Sequence, residues 1–204
     1  NSCPSSAGQT SGQTAYEPGG GSTIMGYTVC DPDNIGGGRG DYFHVINLIE
    51  VANFITQGGG NTCGEAIVTN NNAPEVSIPL TDGFFIPIGT PFVLTGNVTD
   101  QDGDDLSYCW EQFDLGPTSA LGQPTGDAPI FRSYPPADNP SRTFPRLNNI
   151  VFNNLNNEEV LPTYSRNLTF KLTVRDNHPG AGGVTSAEVK FKATDKAGPF
   201  VVKY

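Results

Sequence analysis

A change of hydrophobic period near residue 74 constrains this chain more than any other feature. After Asn70-Asn71-Asn72-Ala73-Pro74, a linker by composition, apolar residues begin to alternate with polar ones. In Arg166–Asp176 the side chains of Leu168, Phe170, Leu172 and Val174 share one face, the period-two pattern of a strand with one buried side. Glu75–Ile78, Pro91–Val98, Leu106–Gln112 and Val184–Ala193 read as further strands. Short strands separated by turn residues predict a β-sandwich. The Pro-rich span 113–164 is too long for a hairpin and is expected to wrap the sandwich as an extended insertion with short strands.

Upstream, the pattern is different. Residues 1–43 carry almost no periodicity and are punctuated by Gly19-Gly20-Gly21 and Gly36-Gly37-Gly38. So long an irregular stretch is uncommon in a free-standing fold, so it is expected to be functional or anchored on structure outside this chain. One helix is predicted over 48–57, with Asn47 as its N-cap and Glu50 completing a capping box. Leu48, Val51, Ala52 and Ile55 form its apolar face, widened by Ile49 and Phe54. The rest of residues 1–65 offers little to cover that face.

Composition excludes several function classes. With 11 Lys+Arg against 21 Asp+Glu, the formal net charge is -10. Nucleic-acid binding needs a basic footprint that replaces counterions, and anionic membranes attract basic surfaces. No apolar run is long enough to span a membrane. Four cysteines, Cys3, Cys30, Cys63 and Cys109, suit an oxidising, extracellular compartment. None has CxxC spacing; Cys109 lies inside a strand pattern and is expected to be a buried thiol, and the pairing of the cysteines stays open. Trp110, the sole tryptophan, is expected in the core.

Gly21-Ser22-Thr23-Ile24-Met25-Gly26-Tyr27 contains the chain's only methionine, preceded by Ala15-Tyr16-Glu17-Pro18-Gly19 and followed by Cys30 and Asp41-Tyr42-Phe43-His44. This order resembles the stretch from the Met-turn to the end of the catalytic domain in secreted bacterial reprolysin-like (metzincin) zinc peptidases. The resemblance implies that Met25 floors a zinc site and that Tyr27 contacts the metal or the oxyanion. It also implies a division into a catalytic-domain remnant, 1–68, and an accessory domain, 69–204. The family's zinc is held by His-Glu-x-x-His-x-x-Gly-x-x-His or its Asp-ended variant, which this sequence lacks; its two histidines, His44 and His178, stand outside any such context. The chain alone is therefore expected to be inactive, with zinc, the upstream part of the catalytic domain and a protein or peptide substrate belonging to the parent enzyme.

Asp100-Gln101-Asp102-Gly103-Asp104-Asp105-Leu106-Ser107-Tyr108-Cys109-Trp110 resembles the acidic hairpin of bacterial cadherin-like and polycystic-kidney-disease-type modules. The fold class expected is thus mainly β, an immunoglobulin-like β-sandwich preceded by a loop-rich segment with one short α-helix. Alternate aspartates around a glycine can converge on calcium, a hard cation that takes six to eight oxygens. Asp100, Asp102, Asp104 and Asp176 are the expected ligands. No EF-hand is present, because the twelfth-position glutamate and the flanking helices are missing. The alternative function is a non-enzymatic, calcium-stabilised adhesion or carbohydrate/protein-binding module. Arg39-Gly40-Asp41 reads as a chance tripeptide, and the sequons at Asn97 and Asn167 as idle in a bacterial protein.

Overall fold

The structure is a computed structural model that describes residues 2–4, 12–26, 30–36, 40–154 and 156–199. It is mainly β. The strands are β1 (Glu75–Ser77), β2 (Phe85–Pro87), β3 (Phe92–Thr95), β4 (Asn97–Thr99), β5 (Ser107–Gln112), β6 (Ser141–Phe144), β7 (Arg166–Arg175) and β8 (Val184–Thr194). Two helices, α1 (Val45–Thr56) and α2 (Leu147–Val151), accompany them.

A four-stranded sheet in the order β2-β8-β7-β5 forms the frame, and the ladders β1-β4 and β3-β6 complete the strand pairing. The long antiparallel β7-β8 pair runs in register from Arg166↔Ala193 to Arg175↔Val184. Its alternation buries Leu168, Phe170, Leu172 and Val174 completely, together with Val189, Phe191 and Ala193. Leu94 of β3 and Phe144 of β6 close the same core from the opposite side. Phe92, Phe131, Phe144, Phe170 and Phe191 meet there at ring distances between 4.6 and 5.8 Å. Burying each such side chain contributes about 1.5–3 kcal/mol. Trp110 is 3 % exposed and donates its indole N–H to the Pro140 carbonyl at 2.9 Å, so it is a core residue as expected.

The stretch read as one strand, 91–98, is two. β3 pairs with β6 and β4 with β1, and Gly96 is the break between them. A Cβ at Gly96 would collide with the Leu172 side chain, so only glycine lets the chain pass the core there. Strand β2 shows no period in the sequence, and β6 is a short strand of the kind expected within 113–164, each being only three or four residues long.

Helix α1 also starts earlier than predicted. Its cap is His44, whose side chain accepts from the Ile46 amide, so the Asn47–Glu50 capping box is not the device used. Only Val45 is buried; from Glu50 onward every residue of α1 is exposed, with Val51, Phe54 and Ile55 at 54, 60 and 54 %. Residues 63–74 then run without helix or strand to β1.

Candidate functional site

The N-terminal segment is built around two buried glutamates. Glu17, 6 % exposed, accepts the amides of Ser22 and Thr23 at 2.7 and 3.0 Å and the Thr23 hydroxyl at 2.8 Å. A carboxylate that accepts several hydrogen bonds from one turn fixes its shape. Gly21 adopts φ +73, and the Gly26 amide closes the turn on the Thr23 carbonyl at 2.9 Å. This turn places Met25 outward, 61 % exposed, with Ile24 at 37 % and Phe43 at 40 %. Ile24 and the neighbour of Phe43 are joined, because the Ile24 amide donates to the Tyr42 carbonyl at 3.1 Å. Tyr27 lies outside the described residues. A disulfide joins Cys3 to Cys30, while Cys63 is free and exposed and Cys109 is free and buried; burial pushes the Cys109 thiol up.

The second glutamate, Glu111, stitches this segment to β5. Its side chain is fully buried, which is costly unless every oxygen is bonded. One oxygen accepts the Val45 amide at 2.7 Å; the other accepts the Ser133 hydroxyl at 2.5 Å and lies 3.9 Å from His44 Nε2. Ser133 in turn accepts the Tyr42 phenol at 3.0 Å on its hydroxyl and the Ser22 hydroxyl at 2.9 Å on its carbonyl. Burial raises the Tyr42 phenol far above its ordinary value, so it stays a donor. Tyr16 stacks on Phe113 at 4.3 Å and faces His44 at 6.0 Å, extending the contact along the outer side of β5. Nothing in the sequence reading singled out Glu17, Glu111 or Ser133. A glutamate following Cys109 and Trp110 inside a strand was the available signal.

Neither histidine belongs to a metal-ligand cluster. His44 caps α1, and His178 Nδ1 lies 2.9 Å from Asp104 Oδ2, which raises the His178 imidazole above its ordinary value. Cys3, Cys30 and Asp33 also lie close together, but the two sulfurs are joined in the disulfide and offer no thiolate, so among the described residues no group supplies the histidine set that the family's zinc requires.

The acidic loop behaves differently. Carboxylate oxygens of Asp100, Asp104 and Asp176 lie within 4.8 Å of one another. Asp100 Oδ1 accepts the amides of Asp102, Gly103 and Asp104, while its Oδ2 is buried with no hydrogen-bond partner. Asp176 is fully buried and accepts the His178 amide at 3.1 Å, the Gly183 amide at 2.7 Å and the Asn71 amide group at 2.8 Å. Burial pushes its carboxyl up, but these hydrogen bonds and the nearby His178 hold it below the ordinary value. The Asn71 Oδ1 is also buried without a partner. Three carboxylates this close repel one another unless a cation or protons intervene, and the free donors are the hard oxygens calcium prefers.

Asp102, one of the four ligands read from the sequence, is turned elsewhere. Its carboxylate accepts the Asn72 amide at 2.7 Å and the Asn72 side chain at 3.0 and 3.2 Å, contacts that lower its ordinary value. The structure thus brings three of the four together and adds Asn71, which the sequence presented only as part of a linker.

Comparison of the chain with protein-family models, with curated proteins and with solved structures finds no match in any of the three.

Proposed function

We propose that residues 1–68 are the C-terminal end of the catalytic domain of a secreted, bacterial, reprolysin-like zinc endopeptidase. Residues 69–204 would form its immunoglobulin-like accessory β-sandwich. The observation that carries this reading is the Gly21–Gly26 turn. It is rigidly held by Glu17, yet it presents the only methionine outward beside other uncovered apolar groups. A single-chain fold seldom spends a rigid turn on displaying Ile24 and Met25 to water, next to Phe43 and a helix with Val51, Phe54 and Ile55 uncovered. A face of this kind fits the floor of an active site whose remaining walls come from the upstream part of a catalytic domain. Zinc would be held by that upstream part, and this chain would contribute the Met25 floor and the adjoining wall. The substrate would be a protein or peptide.

The reading is tested on the open reading frame ahead of Asn1. His-Glu-x-x-His encoded within the preceding domain supports it, and a frame without that motif overturns it. The purified chain with zinc added is expected to leave casein intact.

A second reading has its own support. The convergence of Asp100, Asp104 and Asp176 favours a calcium-stabilised extracellular module that binds protein or carbohydrate without catalysis. Both readings contain the same calcium site, so they differ in the upstream sequence and not in the response to calcium.

A further inference from the structure

Residues 64–70 differ from every other exposed stretch described. They belong to no helix or strand, all are exposed, and their backbone groups make no hydrogen bond with a described residue. Ile67 and Val68 are 80 and 85 % exposed, the largest values among the described large apolar side chains. The chain is tied down on both sides. Ahead of the stretch, the Gln57 and Gly58 amides close α1 on the Asn53 carbonyl, and the Cys63 amide donates to the Gly60 carbonyl. Beyond it, the Asn71 side chain donates to Asp176 at 2.8 Å and the Asn72 amide to Asp102 at 2.7 Å. Other exposed turns are closed by their own amides, residues 102–104 on Asp100, Asn153 and Asn154 on α2, and Gly183 on Asp176.

No disulfide spans this stretch. Cys3–Cys30 lies wholly ahead of it, and Cys63 and Cys109 are free. Non-covalent contacts do span it. Besides the network around Glu111 and Ser133, the Ser119 amide donates to the Ser2 carbonyl at 3.0 Å, the Leu121 amide to Asp33 at 3.0 Å and the Gly36 amide to Glu158 at 2.8 Å. Arg132 and Arg175 donate to the Gly36 and Phe43 carbonyls at 2.9 and 3.3 Å. These contacts tie points from Ser2 to Val45 onto β5, β7 and the span between them, and none passes through residues 64–70.

We propose that residues 64–70 are a cleavage segment for an endopeptidase that accepts a branched apolar side chain beside the scissile bond, and that the cut protein persists as one folded body of two chains. A peptide taken up as an extended strand must offer free backbone N–H and C=O groups, and nicking concentrates where the backbone is exposed and unbonded. Residues 64–70 meet that condition as they stand. A cut in α1 or in the closed turns requires hydrogen bonds to open first. The reaction is hydrolysis of the Ala66–Ile67 or Ile67–Val68 amide. Its C–N bond breaks, the hydroxyl of water joins the carbonyl carbon, and the proton goes to the departing nitrogen. The cut falls at the boundary near residue 68 that the sequence suggests between two domains, yet the contacts from Ser2 to Val45 cross that boundary and hold the parts together. The segment lies wholly within this chain, so the inference stands whether or not the upstream sequence encodes a peptidase.

Limited digestion of the whole chain with thermolysin, an endopeptidase that cuts ahead of branched apolar residues, tests both halves of the proposal. Intact-mass measurement is expected to show the first cut before Ile67 or Val68. On size exclusion under native conditions the two pieces are expected to elute together at the volume of the uncut chain, with or without reductant, and to part only in denaturant. Ile67→Asp combined with Val68→Asp, two exposed changes that leave the melting temperature unaltered, is expected to slow the cut by at least about tenfold. A first cut outside residues 64–70, or cutting of the double variant there at the wild-type rate, would overturn the cleavage segment. Wild-type pieces that elute apart under native conditions would overturn the two-chain body.

Discussion

The strand-rich region and the N-terminal segment are held by opposite means. Between β3 and β8 the chain closes over five phenylalanine rings and a row of fully buried aliphatic side chains. Between Ser2 and Val45 the buried groups include Glu17, two serines, a threonine and a histidine capping a helix, and Glu111 of β5 reaches across to the Val45 amide. Apolar burial tolerates small errors of geometry, since its strength scales with area. A buried carboxylate does not, because an unmade hydrogen bond leaves the full desolvation cost in place. The first region is therefore stable by quantity, and the second by completeness.

That contrast breaks most visibly at Phe170. Its ring touches those of Phe92, Phe131, Phe144 and Phe191, so Phe170→Ala opens a cavity at the centre and is expected to cost about 3–5 kcal/mol. The loss should appear as a lower denaturation midpoint shared by every probe. At Glu111 the expected loss is about 2–3 kcal/mol and local. Glu111→Ala strands the Val45 amide and the Ser133 hydroxyl. Hydrogen exchange should then quicken across residues 12–49 while amides of β7 and β8 keep their protection. Equal loss of protection in both regions would mean that they unfold as one unit and that the contrast fails.

The same contrast explains what could be read from the sequence. Strand β7 was legible because Leu168, Phe170, Leu172 and Val174 repeat with a fixed period, and period is a local property. Strand β2 is too short to display one, and for the same reason the short strands expected within 113–164 could not be given bounds such as those of β6. Glu17 and Glu111 were illegible for a different reason. Their partners are backbone amides and hydroxyls up to 66 positions away, and nothing in the local pattern marks a carboxylate as buried. Asp100 and Asp104 stand out in the sequence because an Asp-rich glycine turn announces itself, and Asp176 because it ends a strand pattern; the structure places these three carboxylates within 4.8 Å of one another. Asn71 was hidden, since its role comes from lying against Asp176 across a separation of 105 residues. Cys109 was placed correctly as a buried thiol on its strand pattern alone.

Asp114 sharpens the comparison by placing a poorly compensated carboxyl at the edge of the apolar region. Burial raises it to about 6 from 3.8, opposed by the Gln112 hydrogen bond and the charge of Arg166. The folded state therefore holds a proton that the unfolded chain has released between about pH 4 and pH 6. Raising the pH through that window lowers stability, by at most about 3 kcal/mol. Asp114→Asn removes the titration, so melting temperatures of wild type and variant, compared from pH 4 to 7, should converge toward the acidic end and separate above pH 6. Parallel curves would show that Asp114 ionises freely in the folded protein.

The smallest expected effect concerns the acidic loop, where a polar cluster resembles the N-terminal network in being buried but not in being complete. Glu17 and Glu111 have every oxygen bonded; Asp100 Oδ2 and Asn71 Oδ1 have none. An incomplete cluster of three carboxylates should gain from an added cation, whereas a complete network should not. Calcium at about ten times its dissociation constant would stabilise the fold by about 1.4 kcal/mol, a rise of a few degrees in melting temperature that a chelator reverses. Asp176→Asn should abolish the rise, and Asp102→Asn should leave it, since Asp102 is committed to Asn72. An unchanged melting temperature with and without chelator would remove calcium from the account. Loss of the response in Asp102→Asn alone would show that the loop rearranges to the four-aspartate set its sequence suggests.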